Sequence, residues 1–137
     1  MSDFDVTDKV CIVTGAGRGI GRGIAQSLAR HGATVVLTGR TAATLAETAA
    51  AIGAAANSQL ADVAREADVT ALRDVVLAWH GRIDVLVDNP SINPVWRGIE
   101  KISLADWQAI IDIKLTGTFL CCKYLGGAMG QGLGDQC

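Results

Sequence analysis

Short, continuous apolar runs alternate along the chain with stretches whose apolar residues recur every three or four positions. Val10, Cys11, Ile12 and Val13 contain no polar interruption, which predicts a strand buried on both faces. A glycine-rich turn over 15–21 follows. Ile20, Ile24 and Leu28 then form a helical stripe that stops at His31-Gly32, where glycine suits a left-handed C-terminal cap. Residues 34–38, carrying Val35, Val36 and Leu37, predict a second buried strand. Leu45, Ala49 and Ile52 give a helical face within an alanine-rich stretch of strong helix propensity. Residues 57–62 carry only a weak strand signal. Val69, Leu72, Val75, Val76 and Trp79 mark a third helix closed by Gly81, and 83–87 is a fourth, nearly continuous apolar strand. A last helix starts at Ser103, where Asp106 completes an S-x-x-D capping box, and is expected to reach about Leu125. The order β-α-β-α-β-α-β-α predicts an α/β parallel sheet covered by helices on both faces.

Composition refines this picture without changing it. Half of the 137 residues are hydrophobic and 19% are charged, a mixture that fits one globular domain. A mean hydropathy of +0.31 is high for a small domain and implies apolar surface available to a partner. Twelve basic against fourteen acidic residues leave a net charge of −2, so neither nucleic acid nor an anionic membrane is an expected partner. The first eight residues lack the apolar core of a secretory signal, and no apolar run reaches transmembrane length. Cys11, Cys121, Cys122 and Cys137 lack metal-ligand spacing, so no metal is expected, and reduced thiols fit a cytoplasmic location. Gly126, Gly127, Gly130, Gly132 and Gly134 predict a disordered tail over 126–137 beyond a domain spanning 1–125.

The most informative segment is T-G-A-G-R-G-I-G, from Thr14 to Gly21, set between a buried strand and an amphipathic helix. Glycines let a backbone turn sharply and approach a diphosphate, while the free N–H groups and the positive dipole end of the following helix attract the anion. Gly15, Gly19 and Gly21 give G-x-x-x-G-x-G, which differs from both G-x-G-x-x-G and a Walker loop. The alternative is a tight turn that binds nothing.

These residues resemble the cofactor motif of the short-chain dehydrogenase/reductase family. Further matches are Asp62-Val63, the segment D-V-L-V-D-N-P-S at 84–91 and D-W-Q-A-I-I-D-I-K-L-T-G at 106–117, so the resemblance runs from about Lys9 to Leu125. It implies a Rossmann-type sheet with strand order 3-2-1-4, an incomplete one if the family's later strands are absent. It also implies dinucleotide binding through Gly15, Arg18, Gly19, Ile20 and Gly21, an adenine pocket lined by Asp62 and Val63, and Asn89 beside a cofactor ribose. At the end of the second strand an NAD-preferring protein usually carries an acid for the ribose 2′-hydroxyl. This chain has Gly39 and Arg40. NADP(H) is therefore the expected cofactor over NAD(H), with Arg40 and Arg18 pairing with its 2′-phosphate. The family's N-N-A-G is replaced by Asp88-Asn89-Pro90-Ser91, where proline removes a donor and serine replaces a glycine.

Family members transfer hydride between nicotinamide and a carbonyl or alcohol, using a tyrosine with a lysine four residues later. Here the only tyrosine, Tyr124, stands four residues before Ala128, so no catalytic residue is assigned. Lys114 occupies the place of the family's catalytic asparagine, and at 100° per residue it is expected to point inward with Trp107, Ile111 and Thr118. Three expectations follow: an NADP(H)-binding oxidoreductase lacking its catalytic segment, an inactive nucleotide-binding or interaction module, or a truncated product without function. If the fourth strand is an exposed edge, homo-oligomerisation or aggregation is expected.

Overall fold

The computed structural model describes residues 3–90, 92 and 97–129. Four strands, β1 (Val10–Thr14), β2 (Thr34–Gly39), β3 (Ala56–Leu60) and β4 (Val85–Val87), form one parallel sheet in the order β3-β2-β1-β4. Between them run α1 (Gly19–Arg30), α2 (Ala42–Ile52) and α3 (Glu66–His80). The expected element order and strand order are those observed, and the arrangement is a Rossmann-type half-sheet.

Alternation along the strands explains why both faces are covered. Val10, Ile12 and Val36 point to one face, where they pack with Val69, Leu72 and Val76 of α3. Cys11, Val13, Val35 and Leu37 point to the other, against Ala25 of α1 and Leu45 of α2. Since side chains alternate across a strand, a central strand buried on both faces carries apolar residues at successive positions, with the buried threonines Thr14 and Thr38 near the C-terminal ends of β1 and β2. Strand β3 lies at the sheet edge, is half exposed and carries Asn57, Ser58 and Gln59, which accounts for its weak sequence signal. Trp79, expected on the buried stripe of α3, is 45% exposed at the last turn before Gly81.

The final helical rod differs most from expectation. Ser103 caps α4 (Leu104–Ile111) by accepting the N–H of Asp106 at 3.1 Å. Two π-helical turns then alternate with short α segments: Asp112–Thr116, α5 (Gly117–Cys121), Cys122–Gly126 and α6 (Gly127–Met129). Helical structure thus continues past Leu125 through Gly126 and Gly127, where a disordered tail was expected. Residues 130–137, the rest of that tail, lie outside the described residues, as does Ser91. A π turn closes i→i+5 and spreads extra residues over each turn, so a wheel drawn at 100° per residue loses its phase. Lys114 sits inside the first π turn and is exposed rather than inward.

Gly117 lets the rod approach the loop after β3, because a Cβ there would come within 2.8 Å of Val63 Cγ2. Burial raises the Cys121 thiol to about 12, with the charges of Asp88 and Cys122 adding to it, and burial with the Asp84 charge raises Cys11 to about 11. Both are inert core thiols. Cys122 is exposed. No helix among the described residues is long and apolar enough to cross a membrane.

A clasp joins the starts of β1 and β4. The Asp84 N–H donates to the Val10 carbonyl at 2.9 Å, and the Asp84 carboxylate accepts the Val10 N–H at 2.9 Å and the Arg82 guanidinium at 2.7 Å. Burial alone would raise the Asp84 carboxyl; the hydrogen bonds from Arg82 and Val10, with the charges of Arg82 and Lys9, outweigh it and hold the carboxyl below its ordinary 3.8. A depressed carboxyl contributes stability that is fully present above its unfolded value and is lost as pH falls through the folded one. Asp84→Ala is expected to cost about 1–3 kcal/mol by orphaning the Val10 N–H. In urea titrations the gap between wild type and variant should narrow once pH drops below the ordinary carboxylate value; a gap independent of pH would refute the role of the charge.

Candidate dinucleotide-binding site

The C-terminal ends of all four strands meet at one trench. Residues that follow β1 (Gly15, Gly17, Arg18), β2 (Arg40, Thr41), β3 (Ala61, Val63) and β4 (Asn89, Pro90) line three adjoining clefts, and Gly15 belongs to each. Strand order reverses at β1, with β2 and β3 on one side and β4 on the other. A parallel α/β sheet opens its ligand crevice at such a switch point.

Steric demand sets the glycines. Gly15 has φ +60°, and a Cβ on it would run into the Asn89 carbonyl oxygen; one on Gly21 would run into the carbonyl oxygen of Gly15. Gly19 has φ +57°, yet nothing lies within 4 Å of where its Cβ would be. Gly19 thus faces open space at the start of α1. Thr14 fixes the same junction from below: its hydroxyl accepts the Asn89 N–H at 2.6 Å and lies 3.3 Å from Asp88 Oδ1, to which it donates.

Packing from α2 fixes which way the turn's peptides point. The buried Thr48 hydroxyl lies 3.0 Å from the Ala16 carbonyl and 3.2 Å from that of Thr44, sharing its one proton between them. Arg22 donates through Nε to Thr48 Oγ1 at 2.8 Å and through Nη2 to the Gly17 carbonyl at 2.9 Å. A trans peptide directs its N–H opposite to its C=O. With the carbonyls of Ala16 and Gly17 pinned toward α1 and α2, the N–H groups of Gly17 and Arg18 are turned the other way. The N-cap position of α1, Arg18, makes no side-chain cap, and the first turn carries no acid, so the helix start keeps its affinity for an anion.

The charge lining the trench is of one sign. Arg18 and Arg40 line the cleft with Gly17, Thr41 and Thr44, while Arg18 and Lys114 line the cleft with Gly19, Ile20 and Asn89. Among the described residues, no Asp or Glu lines the three clefts. Ile20, 75% exposed, offers an apolar surface at the second cleft. Val63 lines the middle cleft with Ala61, Pro90 and Ile113. Asp62 lines none of the three; its Oδ1 accepts the Ala64 N–H at 3.0 Å and its own N–H donates to Asp68 at 2.9 Å. That is an Asx turn, the ordinary role of an aspartate at a strand end.

Of the residues singled out in the sequence, Gly15, Arg18, Gly19, Ile20, Arg40, Val63 and Asn89 are brought to the trench, Gly21 supports it from behind, and Asp62 turns the chain beside it. Sequence reasoning passed over Gly17, Thr41, Thr44, Thr48 and Arg22. Gly17 was visible as a fourth glycine of the turn, but its partner, Thr44, is known only from the packing of α2.

The sequence matches the family model described as short chain dehydrogenase over residues 9–134. It is 38% identical over 125 residues to the short chain dehydrogenase/reductase astE of Aspergillus oryzae, covering 88% of this chain and 48% of that protein. It is also 38% identical over 130 residues to the D-threitol dehydrogenase of Mycolicibacterium smegmatis, covering 93% and 50%. Among solved structures, the 3-ketoacyl-(acyl-carrier-protein) reductase from Brucella melitensis complexed with NADH superposes with a TM-score of 0.88 at 32% identity, over 96% of this chain and 55% of that one. The chain spans about half the length of the curated relatives it matches.

The Gly17–Thr44 contact is testable on its own. A Cβ at Gly17 would overlap Thr44 Oγ1 and lie 3.0 Å from Thr44 Cβ, so Gly17→Ala is expected to cost about 1–3 kcal/mol by overpacking. Thr44→Ala should recover part of that loss in a double-mutant cycle measured by urea unfolding. Strict additivity of the two changes would show that the contact is not what excludes a side chain at position 17.

Proposed function

The chain belongs to the short-chain dehydrogenase/reductase family, and we propose that it binds NADP(H) as the cofactor-binding half of an oxidoreductase acting on a carbonyl or alcohol. One observation carries the cofactor preference: among the described residues, the cleft beyond β2 gathers Arg18, Arg40, Thr41 and Thr44 without a carboxylate. Two guanidinium groups and the Thr41 hydroxyl match a phosphomonoester, while the Thr44 hydroxyl donates to the Thr41 carbonyl at 3.1 Å; the acid that would repel the phosphate is missing from the β2 end. The trench residues fit the rest of a dinucleotide. Gly15, Arg18, Gly19, Ile20 and Gly21 form the diphosphate turn, Val63 bounds the adenine side with Asp62 shaping its loop, and Asn89 stands at the ribose on the β4 side.

When bound, the dinucleotide supplies or accepts the hydride. This chain's own residues hold and orient it. Tyr124 is half-buried against the α3 face with the Arg73 guanidinium 5.6 Å from its ring centre, and no lysine follows it at four residues. That observation favours a second reading, a nucleotide-binding module that does not turn over substrate within these 137 residues. Free thiols at Cys11, Cys121 and Cys122 support a reducing, cytoplasmic setting. Exposed Trp107, Leu115 and Phe119 on the final rod support self-association.

Titration by NADPH fluorescence is expected to give saturable binding, with NADH roughly tenfold weaker or more. Arg40→Asp should reverse that preference; tighter binding of NADH by the wild type would overturn the NADP(H) assignment. Turnover of ketone and alcohol panels by the 137-residue chain is expected to be undetectable, and measured activity would reject the inactive module. Sedimentation should show mass rising with concentration, whereas a concentration-independent monomer would exclude self-association.

A further inference from the structure

Lys114 is the residue of the trench that its assigned roles do not use. Its Nζ donates to the Pro90 carbonyl at 2.8 Å, tying the final rod to the loop after β4. An ammonium has three N–H groups, so this tie leaves two for other acceptors. The backbone that carries it is held in turn by Thr118, whose hydroxyl donates to the Lys114 carbonyl at 2.8 Å.

The same cleft holds Arg18, Gly19 and Asn89. Its volume of about 280 Å³ is several times the roughly 30 Å³ share of one water molecule, room enough for a phosphate or carboxylate. Arg18 and Lys114 both line this cleft, and an anion seated between two positively charged side chains is attracted to each. The start of α1, with Gly19 and Ile20 lining the same cleft and no acid in its first turn, adds the positive end of the helix dipole. A neutral side chain at position 114 would provide the tie without the charge.

We propose that Lys114 is an anion-binding residue at the β4 end of the trench, one N–H anchored on Pro90 and the others holding a phosphate or carboxylate of the ligand beyond the glycine turn. This rests on the dinucleotide reading of the site and adds to it a chemical class. The anion is either the phosphate of the nicotinamide half or the carboxylate of a second ligand seated beside it.

The 137-residue chain, with Lys114→Gln and Lys114→Arg, is titrated with adenosine 2′,5′-bisphosphate, reduced nicotinamide mononucleotide and NADPH, and with benzoate after loading with NADPH. If the phosphate is the anion, Lys114→Gln weakens the mononucleotide and NADPH by roughly tenfold, Lys114→Arg retains most of the affinity, and the adenosine bisphosphate is unaffected. If a carboxylate is the anion, only benzoate binding is lost. Unchanged affinity for all four ligands, or equal loss across all of them, overturns the role. Lys114→Met gives the same comparison if Lys114→Gln fails to fold. A wild-type chain that binds none of these ligands fails the dinucleotide reading as well; one that binds the bisphosphate while the mononucleotide, NADPH and benzoate all bind without dependence on Lys114 fails only this inference.

Discussion

The site depends on one close approach, the backbone of Gly15 against the Asn89 carbonyl. A Cβ at Gly15 would push β1's turn away from β4's loop, and one at Gly21 would push α1 away from the Gly15 carbonyl. The Thr14 hydroxyl holds the junction at hydrogen-bond distance. With that spacing fixed, α1 starts at the switch point, and Arg18 and Gly19 at its first turn line the trench. Glycine here is a matter of space before it is a matter of flexibility.

Around this contact the structure divides its labour between layers. Helices α1 and α2 do more than cover a sheet face: through Arg22 and Thr48 they hold the carbonyls of the turn and so decide where its N–H groups go. The Arg22–Glu47 pair at 3.2 Å is partly exposed, and pairs of that kind contribute little. The hydrogen bonds from Arg22 to Thr48 and to the Gly17 carbonyl matter more, because the buried Thr48 oxygen and the turn carbonyls have few other partners. The opposite layer, α3 and the final rod, contributes Ile113 and Lys114 to the trench from beyond β4.

What the sequence made legible follows the same division. Strands β1 and β2 are buried on both faces and therefore read as unbroken apolar runs; edge strand β3, with Asn57 and Gln59, barely reads at all. The glycine turn was legible because its demands are local. Thr44 and Thr48 were not, since their role comes from the packing of α2 onto a turn some thirty residues earlier, a distance that no periodicity carries. Lys114 was misdirected for another reason: a helical wheel assumes constant turns, and its segment is π-helical. Asp62 shows the reverse. Its position fits a ligand contact, while its hydrogen bonds are those of a turn.

The clasp between Val10 and Asp84 has a consequence in time. Its two residues are separated by 74 positions, and the Asn89 backbone that Gly15 requires lies equally far along the chain. Contacts at such separation form only once the intervening chain has closed, which slows folding. On a ribosome the glycine turn therefore emerges long before the strand that completes it. Until residues 84–90 leave the exit tunnel, β1 and β2 can pair, but the switch point between β1 and β4 does not exist. On the proposed reading, a bound nucleotide stabilises the sheet only after that moment, and so acts as a late lock on it rather than as a template for it.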